Sequence, residues 1–201
     1  PKRHLARTSH GCAWDPVTVK IAIVKLSALG DIVHAMVALQ FIREAYPEAE
    51  IDWIVEQGFA PVLADNPDIR HVLPVNLKAL KTNKSLLLSE LAKIRTYAQE
   101  QYDFVIDAQG LIKSALVARV LSAQCTGFDR HSIRESLAAC CYRHHVACPY
   151  DANTIDRNVK VLTQPLGVTV TRDQIMAKKP FLFYQQPEQT WDDCLSPDQP
   201  N

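Results

Sequence analysis

The chain has 201 residues, 47% of them hydrophobic and 22% charged, with 22 Lys+Arg set against 22 Asp+Glu. That length suits one domain, or two small ones, with a real core. Zero net charge argues against bulk attraction to nucleic acid and leaves only local patches. No stretch supplies the roughly 20 uninterrupted apolar residues of a membrane-spanning helix. The opening Pro-Lys-Arg-His-Leu-Ala-Arg lacks the apolar centre of a signal peptide, so a cytoplasmic location is expected. Six cysteines, at 12, 125, 140, 141, 148 and 194, form no Cys-x-x-Cys pair. They are expected to be reduced thiols, mostly buried.

Residues 1–18 show neither helical nor strand periodicity and are expected to lie outside the fold. Residues 19–25, Val-Lys-Ile-Ala-Ile-Val-Lys, form the short apolar run of a buried parallel strand. A turn follows at Ser27–Gly30. Ile32, Val33, Met36, Val37, Leu39, Gln40 and Ile42 then mark a helix that stops before Pro47. A second strand is expected over 50–56, a short helix over 59–65, and a third strand over 70–75 that Pro74 pushes to an edge or an end. Next come a helix over 85–100, a strand over 102–108, a helix over 111–122, a strand near 124–128, and helices near 132–142 and 153–163. This alternation predicts an α/β fold, a Rossmann-like doubly wound parallel sheet over residues 19–171. Residues 172–201 become polar and Pro-rich after Tyr184 and are expected to be a linker or a truncated tail.

Such sheets bind ligands beyond the carboxyl ends of their strands, where the strand order reverses. Ser27–Asp31, Gly58–Phe59 and Asp107–Lys113 fall at such places. The six glycines are too scattered for a G-x-G-x-x-G or Walker loop, and there is neither an Asp-x-Asp triplet nor a G-x-S-x-G elbow. Asp31, at the first strand–helix joint, suits either an N-cap or a general base for a hydroxyl, and the two roles are compatible. Asp107-Ala-Gln-Gly-Leu-Ile-Lys-Ser114 brings a carboxylate, an amide and a lysine to one joint, as a polyhydroxylated anionic ligand requires. An ordinary βα turn with a solvated Lys113 is the alternative.

From Ile69 to Ser89 no acidic residue occurs, while Arg70, Lys78, Lys81 and Lys84 do. That run reads either as an anion site or as a solvated face. Arg134 falls in the first turn of a helix that Asp129 or Ser132 would cap, so it needs a compensating anion, either Glu135 or a ligand. The adjacent His144 and His145 would point apart on a helix, and no metal is expected there.

Several of these stretches resemble glycosyltransferase family 9, the ADP-heptose:lipopolysaccharide heptosyltransferases, in the branch that adds the first heptose to the Kdo of lipid A. The matching pieces are Lys20-Ile-Ala-Ile-Val-Lys-Leu-Ser-Ala-Leu-Gly-Asp-Ile-Val-His34, Ile51-Asp-Trp-Ile-Val-Glu56 with Gly58-Phe59, Val105-Ile-Asp-Ala-Gln-Gly-Leu-Ile-Lys-Ser114 and Ile133-Arg-Glu-Ser-Leu-Ala138. Thr154-Ile-Asp-Arg157 is a weaker match. The resemblance covers residues 19–171. It implies a GT-B architecture, in which an N-terminal Rossmann-like half binds the acceptor, Kdo2–lipid A, and a C-terminal half binds ADP-heptose.

By the same resemblance Asp31 is the base of an inverting, metal-free transfer, with no cofactor. Ser27, Gln109 and Lys113 line the acceptor pocket, Gly30 sits in its loop, and Lys78, Lys81 and Arg134 meet the acceptor's carboxylates and phosphates. Lys78 and Lys81 stand where family members carry arginines, so they would act as point charges rather than forks. The family's donor motif has no counterpart after Tyr184. The chain is therefore expected to be an acceptor-binding half, negligibly active alone, with peripheral contact at the inner face of the inner membrane. The competing reading is an inactive ligand-binding module on a flavodoxin-like fold.

Overall fold

The computed structural model describes residues 18–79 and 83–183. They form a six-stranded, wholly parallel sheet in the order β3-β2-β1-β4-β5-β6. The strands are β1 (Lys20–Val24), β2 (Glu50–Glu56), β3 (His71–Val75), β4 (Phe104–Asp107), β5 (Thr126–Phe128) and β6 (His144–Val146). The helices are α1 (Leu29–Ala45), α2 (Leu87–Ala98), α3 (Ile112–Leu121), α4 (Thr154–Thr163) and α5 (Arg172–Met176), with 3-10 turns between them.

The central strands are covered on both faces, which is why their sequences are nearly unbroken apolar runs. Ile21, Ile23, Ile51, Trp53, Ile54 and Ile106 are fully buried. Pro74 has no N–H to give to a ladder, and β3 is an edge strand paired only with β2. On α1, Ile32, Ala35, Met36, Leu39 and Ile42 are buried at helical spacing. The helix ends at Tyr46, because a residue before proline is disfavoured in helical geometry. The Tyr46 hydroxyl then ties α1 to the turn after α4 by donating to the Leu166 carbonyl at 2.6 Å.

The amino-terminal edge of the sheet is locked by charge. Arg70 donates to Asp52, Glu50 and Glu100, and the Tyr102 hydroxyl donates to Asp52 at 2.7 Å. Arg70 is thereby removed from the basic run as an anion ligand.

Four expectations need correction. Asp31 does not cap α1: the N-cap is Ala28, with no side-chain cap, and Asp31 is the third helical residue. Residues 132–142 form no α-helix. A 3-10 turn runs over Ser136–Cys141, too few residues for more, and Arg134 precedes it, so the helix-dipole argument does not apply to it. His144 and His145 lie on the short strand β6 rather than on a helix. Within the expected tail, Arg172–Met176 is helical, closed by a capping box between Thr171 and Gln174. Among the described residues no helix is long and apolar enough to cross a membrane. Cys125 and Cys148 are buried and their thiol pKa values are raised by burial, whereas Cys140 is exposed and Cys141 partly so. Cys12 and Cys194 lie outside the described residues.

Candidate active site

Strand order reverses between β1, whose chain continues to β2 on one side, and β4 on the other. Beyond the carboxyl ends of these two strands opens a cavity of about 340 Å³. Lys25 reaches it from the β1–α1 connection and Asp31 from the first turn of α1, Gln109 and Gly110 from the β4–α3 loop, and Arg134 and Arg157 from the far wall. Phe128, Ile133 and Tyr150 supply apolar surface.

The β4–α3 loop is held by a buried carboxylate. Asp107 is fully buried, and its Oδ1 accepts from the N–H of Gln109 at 2.7 Å and of Gly110 at 3.3 Å. The Tyr142 hydroxyl donates to its Oδ2 at 2.7 Å. Burial raises the Asp107 pKa, against the pull of those hydrogen bonds. Burial likewise raises the pKa of Tyr142, as does the neighbouring Asp107 charge. Gly110 has φ of +72°, and a Cβ there would lie 2.5 Å from Ile133 Cγ2, so this corner requires glycine twice over.

Gln109 bridges the two loops. Its Oε1 accepts from the N–H of Leu26 at 2.8 Å and of Ser27 at 3.0 Å, and its Nε2 lies 3.4 Å from Ser27 Oγ. Ser27 is thus engaged with Gln109 and does not line the cavity. Lys25 is only 5% exposed, and its Nζ donates to the Ala108 carbonyl at 2.9 Å. Burial lowers its pKa, while Asp31 and Asp107 oppose that shift.

The Asp31 carboxylate makes no hydrogen bond to any described residue and is half-exposed, so it is open to a ligand. Arg134 is exposed and has no hydrogen-bond or ion-pair partner among the described residues. Arg157 is fixed: its guanidinium donates to the carbonyls of Ser132, Pro149 and Tyr150 and stacks on Phe128 and Tyr150 at 5.2 Å. Glu135 is committed elsewhere, accepting from the N–H of Ile112 at 2.8 Å at the start of α3. It therefore satisfies a helix N-terminus.

The structure brings Asp31, Gln109 and Arg134 to one cavity and leaves Ser27, Gly30, Lys78 and Lys113 away from its lining. Gly30 is exposed, with open space where a Cβ would go. Lys113 is exposed on α3. Lys78 lies beyond β3, its Nζ 4.5 Å over the Phe59 ring and its N–H donating to Glu56 Oε1 at 2.9 Å. Lys81 lies outside the described residues. Two lining residues, Lys25 and Arg157, carry charge that the sequence reading did not assign. Their signals were a lysine closing the first apolar run and an arginine closing the Thr154–Arg157 match.

A sequence profile of glycosyltransferase family 9 (heptosyltransferase) matches residues 91–193. The chain is 40% identical over 152 residues to lipopolysaccharide heptosyltransferase 1 of Campylobacter coli, covering 75% of this chain and 41% of that protein. Against the same-named protein of Salmonella typhimurium it is 34% identical over 176 residues, 84% of this chain and 55% of that one. The chain therefore spans about half the length of the curated relatives it matches. The structure of E. coli heptosyltransferase WaaC with ADP-2-deoxy-2-fluoro heptose superposes with a TM-score of 0.72 at 28% identity, over 77% of this chain and 50% of that one.

Proposed function

Because the chain belongs to glycosyltransferase family 9, the heptosyltransferases, we propose that the cavity beside Asp31 is the acceptor site for heptosyl transfer in lipopolysaccharide core synthesis. The acceptor assigned to it is the Kdo of Kdo2–lipid A. The donor, ADP-heptose, is assigned to a second half that faces this cavity. The observation that carries the reading is an unpartnered carboxylate, Asp31, opening onto a polar cavity bounded by Lys25, Arg134 and Arg157.

Kdo is an acidic sugar, and these three cations suit its carboxylate. Arg157 is preorganised by its three carbonyl partners, and Arg134 is free to close on an anion. In the proposed step Asp31 accepts the proton of the acceptor hydroxyl while that oxygen bonds to the anomeric carbon of the heptose. The bond to the ADP oxygen breaks on the opposite face, ADP leaves with the electron pair, and configuration inverts. The stretch Asp107–Gly110, pinned from behind, keeps the acceptor wall fixed as this happens.

Calorimetric titration with delipidated Kdo2–glucosamine phosphate tests the assignment. Binding is expected to weaken as salt rises and to be lost in Arg134→Ala, whereas ADP alone is expected to produce no heat. Acceptor binding indifferent to Arg134 would overturn the assignment.

A further inference from the structure

Asn158 is only 2% exposed and lies against the cavity onto which Asp31 opens. It shares the buried face of α4 with Val161 and Leu162, which follow it at helical spacing. A polar residue thus interrupts an apolar stripe at the point where the helix passes the cavity. Its side-chain amide has no hydrogen-bond partner among the described residues. One carbonyl oxygen and two N–H donors are therefore withdrawn from bulk water with nothing in the fold to satisfy them. Buried polar groups are normally paired, because burial without a hydrogen bond is costly. The other polar side chains of this helix follow that rule. Asn153 caps α4 by accepting from the N–H of Ile155 at 2.8 Å, and the buried Thr163 hydroxyl donates to the Val159 carbonyl at 2.9 Å.

The surroundings of the amide also face a ligand rather than each other. The preceding residue, Arg157, is turned back onto three carbonyls and is not its partner. The Lys25 ammonium gives one hydrogen bond, to Ala108, which leaves two of its three donors unused. Arg134 is exposed and Asp31 partly so, whereas Lys25 and Asn158 are almost sealed from solvent. The cavity thus has a charged mouth and a polar floor.

We propose that Asn158 is a specificity-determining residue that reads a non-reacting hydroxyl of the acceptor sugar. Its carbonyl accepts from that hydroxyl, and its NH2 donates to the same oxygen or to an adjacent one. The chemistry of the amide selects this group. A carboxylate has no proton to give and would leave the amide carbonyl unpaired, and an apolar group would satisfy neither half. The inference rests on the acceptor reading of the cavity and deepens it. With Asp31 on the reacting hydroxyl and the cations on the acid, a contact at Asn158 fixes the rotation of the ring. It also rejects a sugar that lacks the hydroxyl, because the buried amide is then left unpaired.

Melting and calorimetry of the 201-residue chain with delipidated Kdo2–glucosamine phosphate test it. Asn158→Leu, close in volume, is expected to raise Tm by roughly 2–4 °C without ligand, since it removes an unpaired buried amide. It should weaken acceptor binding by about tenfold or more. Asn158→Asp keeps the shape, loses the N–H donors and should weaken binding by a similar factor. In a set of acceptors that each lack one non-reacting hydroxyl, one is expected to bind wild type about tenfold more weakly than the parent does. Asn158→Leu should bind that acceptor and the parent alike. A lower Tm for Asn158→Leu would make the amide a structural group and overturn the proposal. So would unchanged acceptor binding in both variants, or hydroxyl deletions that cost wild type and Asn158→Leu the same factor. Wild type that fails to bind the parent acceptor would overturn the acceptor reading itself, and this inference with it.

Discussion

Removing the Tyr142 hydroxyl isolates the clasp beneath the cavity. Asp107 is fully buried, and the 2.7 Å bond from Tyr142 is the one its Oδ2 receives from this ring. Tyr142→Phe keeps the ring, against which Gly127 packs so closely that a Cβ there would lie 2.4 Å away, and deletes only the donor. Hydrogen bonds to charged groups contribute about 1.5–3 kcal/mol, and a buried acceptor left unpaired keeps its desolvation cost. For a domain of this size about 2 kcal/mol corresponds to a fall in Tm of roughly 4–8 °C. The sign of the pH dependence follows from linkage. The Tyr142 bond lowers the pKa of a carboxyl that burial has raised, so its loss raises the folded-state pKa further. The deficit of Tyr142→Phe should therefore be greatest at high pH and shrink as the pH falls and Asp107 takes up a proton. Urea unfolding over a pH series descending from pH 8 measures both quantities. Because the same carboxylate holds the N–H groups of Gln109 and Gly110, acceptor binding should weaken alongside stability. A loss at pH 8 below about 0.5 kcal/mol, within the range of an ordinary surface change, or one that grows as the pH falls, would refute the clasp.

Asp31→Asn should cost less than about 1 kcal/mol, since Asp31 is a first-turn residue interacting with the helix dipole and not the cap. With a donor half supplied from a family relative, it should cut transfer by about 10²–10⁴-fold. Thermal melts and a coupled ADP-release assay read the two effects, and unaltered transfer would remove Asp31 from the chemistry. Arg134→Ala should weaken acceptor binding with Tm unchanged, whereas Arg157→Ala should lower both, because only Arg157 ties three carbonyls together. Parallel calorimetry and melting distinguish them. Burial pushes the Asp52 carboxyl up, but hydrogen bonds from Arg70 and Tyr102 outweigh it and hold the pKa below its ordinary 3.8. The stability it contributes is complete above that value and lost as the pH falls through the depressed folded pKa. An acid titration of unfolding should show this loss in wild type and not in Asp52→Asn.

The strands that were legible in the sequence are those with the most to bury. β1 and β2 lie in the middle of the sheet under helices on both faces, so their runs of Ile, Val and Trp could be recognised from composition alone. β6 lies at the edge and consists of His-His-Val, with both histidines exposed, so no apolar run announced it. Residues 136–141, Ser-Leu-Ala-Ala-Cys-Cys, are composed like a short helix, yet the chain has to pass from β5 to β6 within 15 residues and takes a 3-10 turn instead. A cap at Asp31 places the start of α1 three residues late, because an aspartate attracts the cap assignment, whereas here the cap is alanine backbone.

The cavity was legible only in part, for reasons of topology. Asp31 and Gln109 follow the two strands where order reverses, so the rule for parallel sheets brings them together before any side chain is placed. Nothing in residue spacing brings Arg157 to them, because α4 comes after the last strand and folds back over the carboxyl edge to do so. Lys25 was hidden differently, as the polar end of an apolar run, where a lysine reads as the strand meeting water. Instead it is buried, its Nζ on the Ala108 carbonyl, with Asp31 and Asp107 opposing the loss of charge that burial favours. A lysine buried at such a cost calls for compensating anions. The two carboxylates that supply them are the one proposed to take the acceptor's proton and the one that pins the acceptor wall. Lys25 is thus coupled electrostatically to the base and to the clasp together. Charge removed at any of the three should therefore be felt at the other two, and their substitutions should not add.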